Sequence, residues 1–182
     1  MRHTISILVE NEFGVLARVA GLFSGRGFNI DSLSVARTLD PSLSRITLVT
    51  DGDDQIVEQI TKQLNKLICV IKVSDFQDVA HVEREMVLIK VAVEERTRGE
   101  IWNTVNIFRA KVIDAGVRSF VIEVTGDEGK ISAILDLLKP HGVKEIVRTG
   151  KVAVQRGLNT LSATTPEKTV ELKRKRHKEK VA

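Results

Sequence analysis

One order of predicted elements is written twice along this chain, and that duplication constrains the fold more than any other feature. Thr4–Glu10 alternates, with Ile5, Ile7 and Val9 on one face and Thr4, Ser6 and Leu8 on the other, so it predicts a strand. Leu16, Val19, Ala20 and Phe23 recur at helical spacing, and Gly25 and Gly27 close that helix. Ile30–Arg37 and Ser44–Asp51 read as two strands joined by a turn at Asp40-Pro41-Ser42. Ile56, Ile60, Leu64 and Leu67 predict a second helix with Asp53 or Asp54 as its N-cap, and Val70–Asp75 predicts a closing strand. The order is β-α-β-β-α-β.

The same order follows again. Met86–Val93 predicts a strand, Ile101, Val105 and Phe108 a helix, and Ala110–Asp114 and Ser119–Thr125 two strands around Ala115-Gly116. Ile131, Ile134, Leu135 and Leu138 predict a helix ended near Pro140 and Gly142, and Val143–Arg148 a last strand that Lys151–Gln155 continues. Two such units make an α+β chain of two ferredoxin-like sandwiches, each an antiparallel sheet with both helices on one face. The expected boundaries are residues 1–76, a polar linker over 77–84, a second unit over 85–157, and a tail over 158–182. Each sheet is left with an open face and an open edge, where Leu8, Val35 and Val49 need cover. Pairing with a second copy supplies it, so a homodimer is expected.

No apolar run in the 182 residues approaches the ~20 of a membrane span. Met1–Ile5 passes straight into strand residues, which argues against a cleaved signal. Cys69 is the only cysteine, which excludes an internal disulfide and fits a reducing cytoplasm; beside Ile68 and Val70 it reads as a core residue. The net charge of +4 invites a nucleic-acid partner until its location is considered. Of 28 basic and 24 acidic residues, the stretch 166–182 holds seven basic and three acidic, so residues 1–165 hold 21 of each. The body is neutral, and neither nucleic acid nor membrane is expected to bind it. The Ser/Thr/Lys-rich tail, poor in aromatics, is expected to be disordered.

Two stretches carry candidate chemistry. Glu10-Asn11-Glu12-Phe13-Gly14-Val15-Leu16 runs off the first strand into a helix, where backbone amides are free and Gly14 permits an unusual turn. Gly27-Phe28-Asn29-Ile30 opens the second strand with an amide that can both donate and accept. A free helix start suits a carboxylate and a nearby amide suits an amino group, which together describe a small amino acid. The two stretches are expected at the same end of the sheet. Asn and Gly also serve β–α turns for capping alone, so both readings stand on these residues.

Catalytic readings find little support. His3, His81, His141 and His177 show no metal-ligand spacing and read as surface or hinge residues, and no metal site is expected. Gly25 and Gly27 lack the third glycine of a dinucleotide fingerprint, and Gly126-Asp127-Glu128-Gly129-Lys130 carries two acids where a phosphate loop needs none. Glu94-Glu95 and Asp53-Asp54 read as helix-start charges.

The first unit resembles an ACT domain, an amino-acid-binding module that works at dimer interfaces. A longer likeness rests on Val9-Glu10-Asn11-Glu12, on Gly21-Leu22-Phe23-Ser24-Gly25-Arg26-Gly27-Phe28-Asn29-Ile30-Asp31-Ser32-Leu33, and on Gln63-Leu64-Asn65-Lys66-Leu67. With His81-Val82-Glu83-Arg84-Glu85, Ile107-Phe108-Arg109-Ala110 and Arg156-Gly157, the chain over about 1–157 is similar to small regulatory subunits of acetolactate synthase. The resemblance implies a non-catalytic protein without cofactors of its own. It implies a partner, the catalytic large subunit with thiamine diphosphate, magnesium and FAD, which it would activate and make sensitive to valine in branched-chain amino-acid synthesis. Carried over by motif, the valine site comprises Asn11, Gly14, Val15 and Leu16 of one protomer and Asn29 and Ile30 of the other. ACT domains generally have Asp and Pro where this chain has Asn11 and Phe13, but Asn is usual in this subfamily. On that reading the helix-start amides near Gly14 to Leu16 meet the ligand carboxylate and Asn11 and Asn29 its ammonium. Val15, Ile30 or Val35 receives the isopropyl group. Two other classes remain open at this point, an amino-acid-sensing DNA regulator working through the basic tail and a free-standing enzyme on the same scaffold.

Overall fold

β1 (Arg2–Glu10) forms because its inward residues Ile5, Ile7 and Val9 are wholly buried beneath two helices, α1 (Val15–Ser24) and α2 (Asp54–Leu64). The computed structural model describes residues 1–158, 160 and 161. It divides into two units, Met1–Val82 with the chain from Ala153, and Glu83–Val152. In the first, β2 (Ser32–Arg37), β3 (Leu43–Asp51) and β4 (Val70–Asp75) complete a sheet of order β2-β3-β1-β4. β3 is antiparallel to both β1 and β2, in register from Arg2↔Asp51 to Glu10↔Leu43 and from Ser32↔Val49 to Arg37↔Ser44. β1 and β2 therefore run the same way, and β2 is an edge.

The second unit repeats the plan. β5 (His81–Ala92), α3 (Arg98–Ile107), β6 (Lys111–Ala115), β7 (Ser119–Gly126), α4 (Glu128–Leu138) and β8 (Val143–Arg148) give the order β6-β7-β5-β8, with β9 (Val152–Gln155) paired to β5. Ile131, Ile134, Leu135 and Leu138 bury α4 against Val87, Ile89 and Val91 of β5 and Phe120, Ile122 and Val124 of β7. Both units are the expected α+β sandwiches, with their helices packed on one face.

Four details differ from expectation. β5 begins at His81, inside the stretch read as a linker. Its polar residues hid it because their charges are met in place: Glu83 bonds Lys151 at 3.2 Å and the buried Glu85 bonds Arg148 at 3.0 Å. β2 begins at Ser32 rather than Ile30, and β9 is a separate strand rather than a continuation of β8. His3, read as a surface or hinge residue, is 2% exposed and bonds Asp75 at 3.0 Å.

A fifth difference concerns the outer face of the first sheet. Leu8 and Val49, expected to need a second copy, are already buried. Leu161 packs on Leu8, Ile71 and Leu43, while Arg45 donates to the Leu161 carbonyl at 3.3 Å and Lys72 to that of Thr160 at 3.1 Å. A leucine inside the stretch read as tail thus belongs to a core. The expected disorder of 162–182 lies outside the described residues.

Candidate functional site

The start of α1 is built to leave its amides available. Gly14 is the N-cap, held at φ 81°, ψ −3°, a left-handed conformation that costs an L side chain about 1–2 kcal/mol. It has no side chain to cap with, and the first turn carries no acid. The Val15 amide approaches the Glu12 carbonyl at only 3.4 Å, longer than a good amide bond. By contrast, Asp53 caps α2 through the Ile56 amide at 2.8 Å and Asp127 caps α4 through the Lys130 amide at 2.9 Å. The Gly126–Lys130 segment is thereby an ordinary capped start, not a phosphate loop. The α1 start therefore offers a partly positive helix end with no side-chain cap and no acid in its first turn.

The expected residues take unequal places around it. Leu16 is 43% exposed on the outer side of α1, and Val35 is 44% exposed on the edge strand β2. Val15 is 3% exposed within the core, so only its backbone can meet a ligand. Asn11 is already occupied: its amide group donates to the Pro41 carbonyl at 2.9 Å, and its side-chain oxygen accepts from the Ser44 hydroxyl at 3.1 Å. Its role is to clamp the β2–β3 hairpin to the β1–α1 loop, rather than to offer a free oxygen to an ammonium group.

Asn29 and Ile30 do not share the end of the sheet where Asn11 and Gly14 lie. The Asn29 carbonyl accepts from Thr50, whereas the Asn11 amide donates to Ser42. Thr50 lies in β3 and Ser42 just before it, about 26 Å apart along an extended chain. The same-end expectation fails because β1 and β2 are parallel, so the end of one lies opposite the start of the other. Asn29 is exposed and donates to Asp31 at 2.8 Å, while Ile30 is half-buried against the core. Within one chain these two groups form no common site.

The equivalent position in the second unit has a different construction. Ahead of α3 the Thr97 hydroxyl donates to the Glu94 carbonyl at 3.2 Å and accepts from the Glu94 amide at 3.1 Å, and Glu100 stands in the first turn. Arg98 donates to the Val117 carbonyl at 3.0 Å and lies 5.1 Å from the centre of the Phe120 ring. A shallow cavity of about 620 Å³ there is lined by Glu94, Glu95, Arg98 and Arg118 with Ala92, Val93 and Val117. Sequence reasoning took Glu94 and Glu95 as helix-start charges and did not bring in Arg118, which lies twenty positions beyond Arg98. Elsewhere in this unit, burial acts to lower the Lys151 pKa, but the hydrogen bonds Lys151 donates to Glu128 and Glu83, with the charges of those carboxylates, outweigh it, so the net shift is upward from 10.5. Among the described residues no group of three His, Cys, Asp or Glu is placed to hold a metal ion. No helix among them is long and apolar enough to cross a membrane.

Comparison with known proteins agrees along both units. Residues 5–72 match the family model described as an AHAS small subunit-like ACT domain, and residues 84–157 match the model described as the small subunit of acetolactate synthase. A probable acetolactate synthase small subunit of Archaeoglobus fulgidus is 58% identical over 157 residues, covering 86% of this chain and 98% of that protein. The acetolactate synthase small subunit of Aquifex aeolicus is 51% identical over 159 residues, covering 87% and 83%. The crystal structure of the acetolactate synthase small subunit from Thermotoga maritima superposes with a TM-score of 0.78 at 44% identity, covering 87% of this chain and 99% of that one.

Proposed function

Because the chain belongs to the acetolactate synthase small-subunit family, we propose that it is a non-catalytic regulator that activates the catalytic large subunit and makes it sensitive to valine. The thiamine diphosphate, magnesium and FAD of the reaction reside on that large subunit in the cytoplasm, and this chain contributes a sensor. The observation that carries the reading is the uncapped start of α1, with Gly14 left-handed and no acid in the first turn. An amino-acid carboxylate is the anion of the right size to complete it.

The rest of the ligand is met by a second copy. β2 is an edge strand on which Val35 is half-exposed, and Leu16 is half-exposed on α1. Two-fold antiparallel pairing of two β2 edges sets the end of one sheet beside the start of the other. That pairing brings Asn29 and Ile30 of one copy toward the Gly14–Leu16 turn of its partner. In this arrangement the Asn29 amide oxygen accepts from the ammonium group, and Leu16, Ile30 and Val35 receive the branched side chain. Asn11 acts by holding the loop. One methylene in such a pocket is worth only ~1–3 kcal/mol, so discrimination among branched-chain amino acids is modest. Since both copies contribute, ligand occupancy is linked to dimer geometry, which is the signal available to the large subunit.

Reconstitution tests this directly. The isolated chain, supplied with thiamine diphosphate, magnesium and FAD, forms no acetolactate; added to its large subunit, it raises activity and introduces inhibition by valine. Asn29→Ala removes an ammonium partner worth ~1–3 kcal/mol, shifting the valine curve roughly five- to 150-fold while leaving activation in place. Turnover by the isolated chain, or an Asn29→Ala curve identical to wild type, contradicts the reading.

A further inference from the structure

All three loops at one end of the first unit end in a large apolar side chain held in solvent. Phe13 in the β1–α1 loop and Leu39 in the β2–β3 hairpin are fully exposed, and Ile68 between α2 and β4 is 80% exposed. At the other end the terminal Met1 is comparably exposed, and so is Leu158, two residues after the Arg156 amide that donates to Ala80, while Phe28, Ile30 and Val79 are half-buried and Phe76 is buried.

These tips are firmly mounted. Glu10 at the end of β1 and Asn11 just past it tie the loops together, with the Glu10 amide donating to the Cys69 carbonyl at 2.9 Å and the Asn11 amide to that of Ser42 at 2.7 Å. Asp40 accepts from both the amide and the hydroxyl of Ser42, at 2.9 and 2.7 Å, which fixes the hairpin carrying Leu39. From hairpin to β4 the tips form a ridge about 10–15 Å across, given strands ~4.8 Å apart. Rigid, exposed apolar anchors of this kind lose little entropy on binding and cost solvation while free.

We propose that Phe13, Leu39 and Ile68 form the ridge by which this chain docks into an apolar surface of the large subunit. The inference rests on the regulatory reading above and adds to it the surface of contact. Three observations select that occupant. The side assigned to a second copy is the β2 edge with Leu16 and Val35, which leaves this end free. Exposed charges of both signs flank the tips, Glu12 and Asp40 beside Phe13 and Leu39, and Arg37 and Lys66 two residues from Leu39 and Ile68, so a partner with complementary charges of both signs around an apolar socket is favoured. Phe13 is also the residue before Gly14, so an occupant of the ridge feels the helix start at which the effector carboxylate binds.

The experiment uses the full chain and its cognate large subunit. A Phe13→Ser, Leu39→Ser, Ile68→Ser variant is compared with wild type and with Ile107→Ser, a 74% exposed apolar residue of the second unit. Activation is titrated, melting temperature and oligomeric state are recorded, and valine binding to the free chain is measured by calorimetry. The expected result is a midpoint of activation raised roughly ten- to hundredfold, with melting, dimerisation and valine affinity kept and Ile107→Ser at the wild-type midpoint. An unchanged midpoint in the triple variant overturns the docking ridge alone. Dissociation of the dimer by the triple variant also overturns it, by assigning the ridge to a second copy. Failure of the wild-type chain to bind or activate the large subunit overturns the regulatory reading, and the ridge with it.

Discussion

The starts of α1 and α3 occupy the same place in two copies of one topology, yet they are built to opposite ends. α1 begins on a left-handed glycine with no side-chain cap and no acid in its first turn. α3 begins on Thr97, whose hydroxyl bonds Glu94 in both directions, with Glu100 in the first turn and Arg98 turned back to Val117. Neither start is capped by its own N-cap side chain, but α1 has no acid in its first turn, whereas α3 has Glu100 there. Duplication of a fold therefore does not duplicate the build of its helix starts, and the difference lies in a few residues at the turns ahead of α1 and α3.

The outer faces of the two sheets differ as well, and the largest expected effect comes from breaking that difference. In the first unit Leu161 closes over Leu8 and Ile71, whereas in the second Leu88 and Val121 are half-buried and Val147 is 52% exposed. Leu161→Ala removes a buried side chain and leaves its neighbours short of contacts, so it should cost about 2–3 kcal/mol. Thermal or urea unfolding of the variant checks this, and hydrogen exchange should place the loss in the first unit.

A second contrast is electrostatic. Lys151 binds Glu83 at 3.2 Å and Glu128 at 2.7 Å in the second unit, with its pKa raised because those bonds outweigh burial. A group whose folded pKa is raised contributes stability that is present below its unfolded value and lost as pH rises through the folded value. Lys151→Met should therefore cost roughly 1–3 kcal/mol at neutral pH, and the gap to wild type should close only above about pH 10.5. Denaturation at pH 7 and at rising alkaline pH measures it.

The smallest effect concerns the helix starts themselves. Gly14→Ala meets no atom within 4 Å but must hold φ 81°, costing about 1–2 kcal/mol. Thr97→Ala loses two neutral bonds, with a cost of about 1 kcal/mol. Only the first should also disturb valine affinity, which calorimetry on the two variants decides.

Much of this was legible in the residues. Period-two alternation at Ile5, Ile7 and Val9, helical spacing at Ile131, Ile134, Leu135 and Leu138, and the Asp53 cap all placed elements where the structure has them, because each signal is local. β5 between His81 and Glu85 was missed because its charges are neutralised by Arg148 and Lys151, more than sixty residues away. Leu161 was missed for the same reason, its partners Leu8 and Ile71 being distant in sequence. At the candidate site Gly14 was legible as a permissive turn, but the commitment of Asn11 to Pro41 and Ser44 was not. The placing of Asn29 at the far end followed only from the strand directions.

Hydrogen exchange of the full chain with and without saturating valine tests the central difference between the two units most directly. The account predicts new protection at residues 14–18 and 28–31 with residues 93–99 and 117–118 unchanged. Protection confined to the second unit, or none anywhere at saturation, would contradict it.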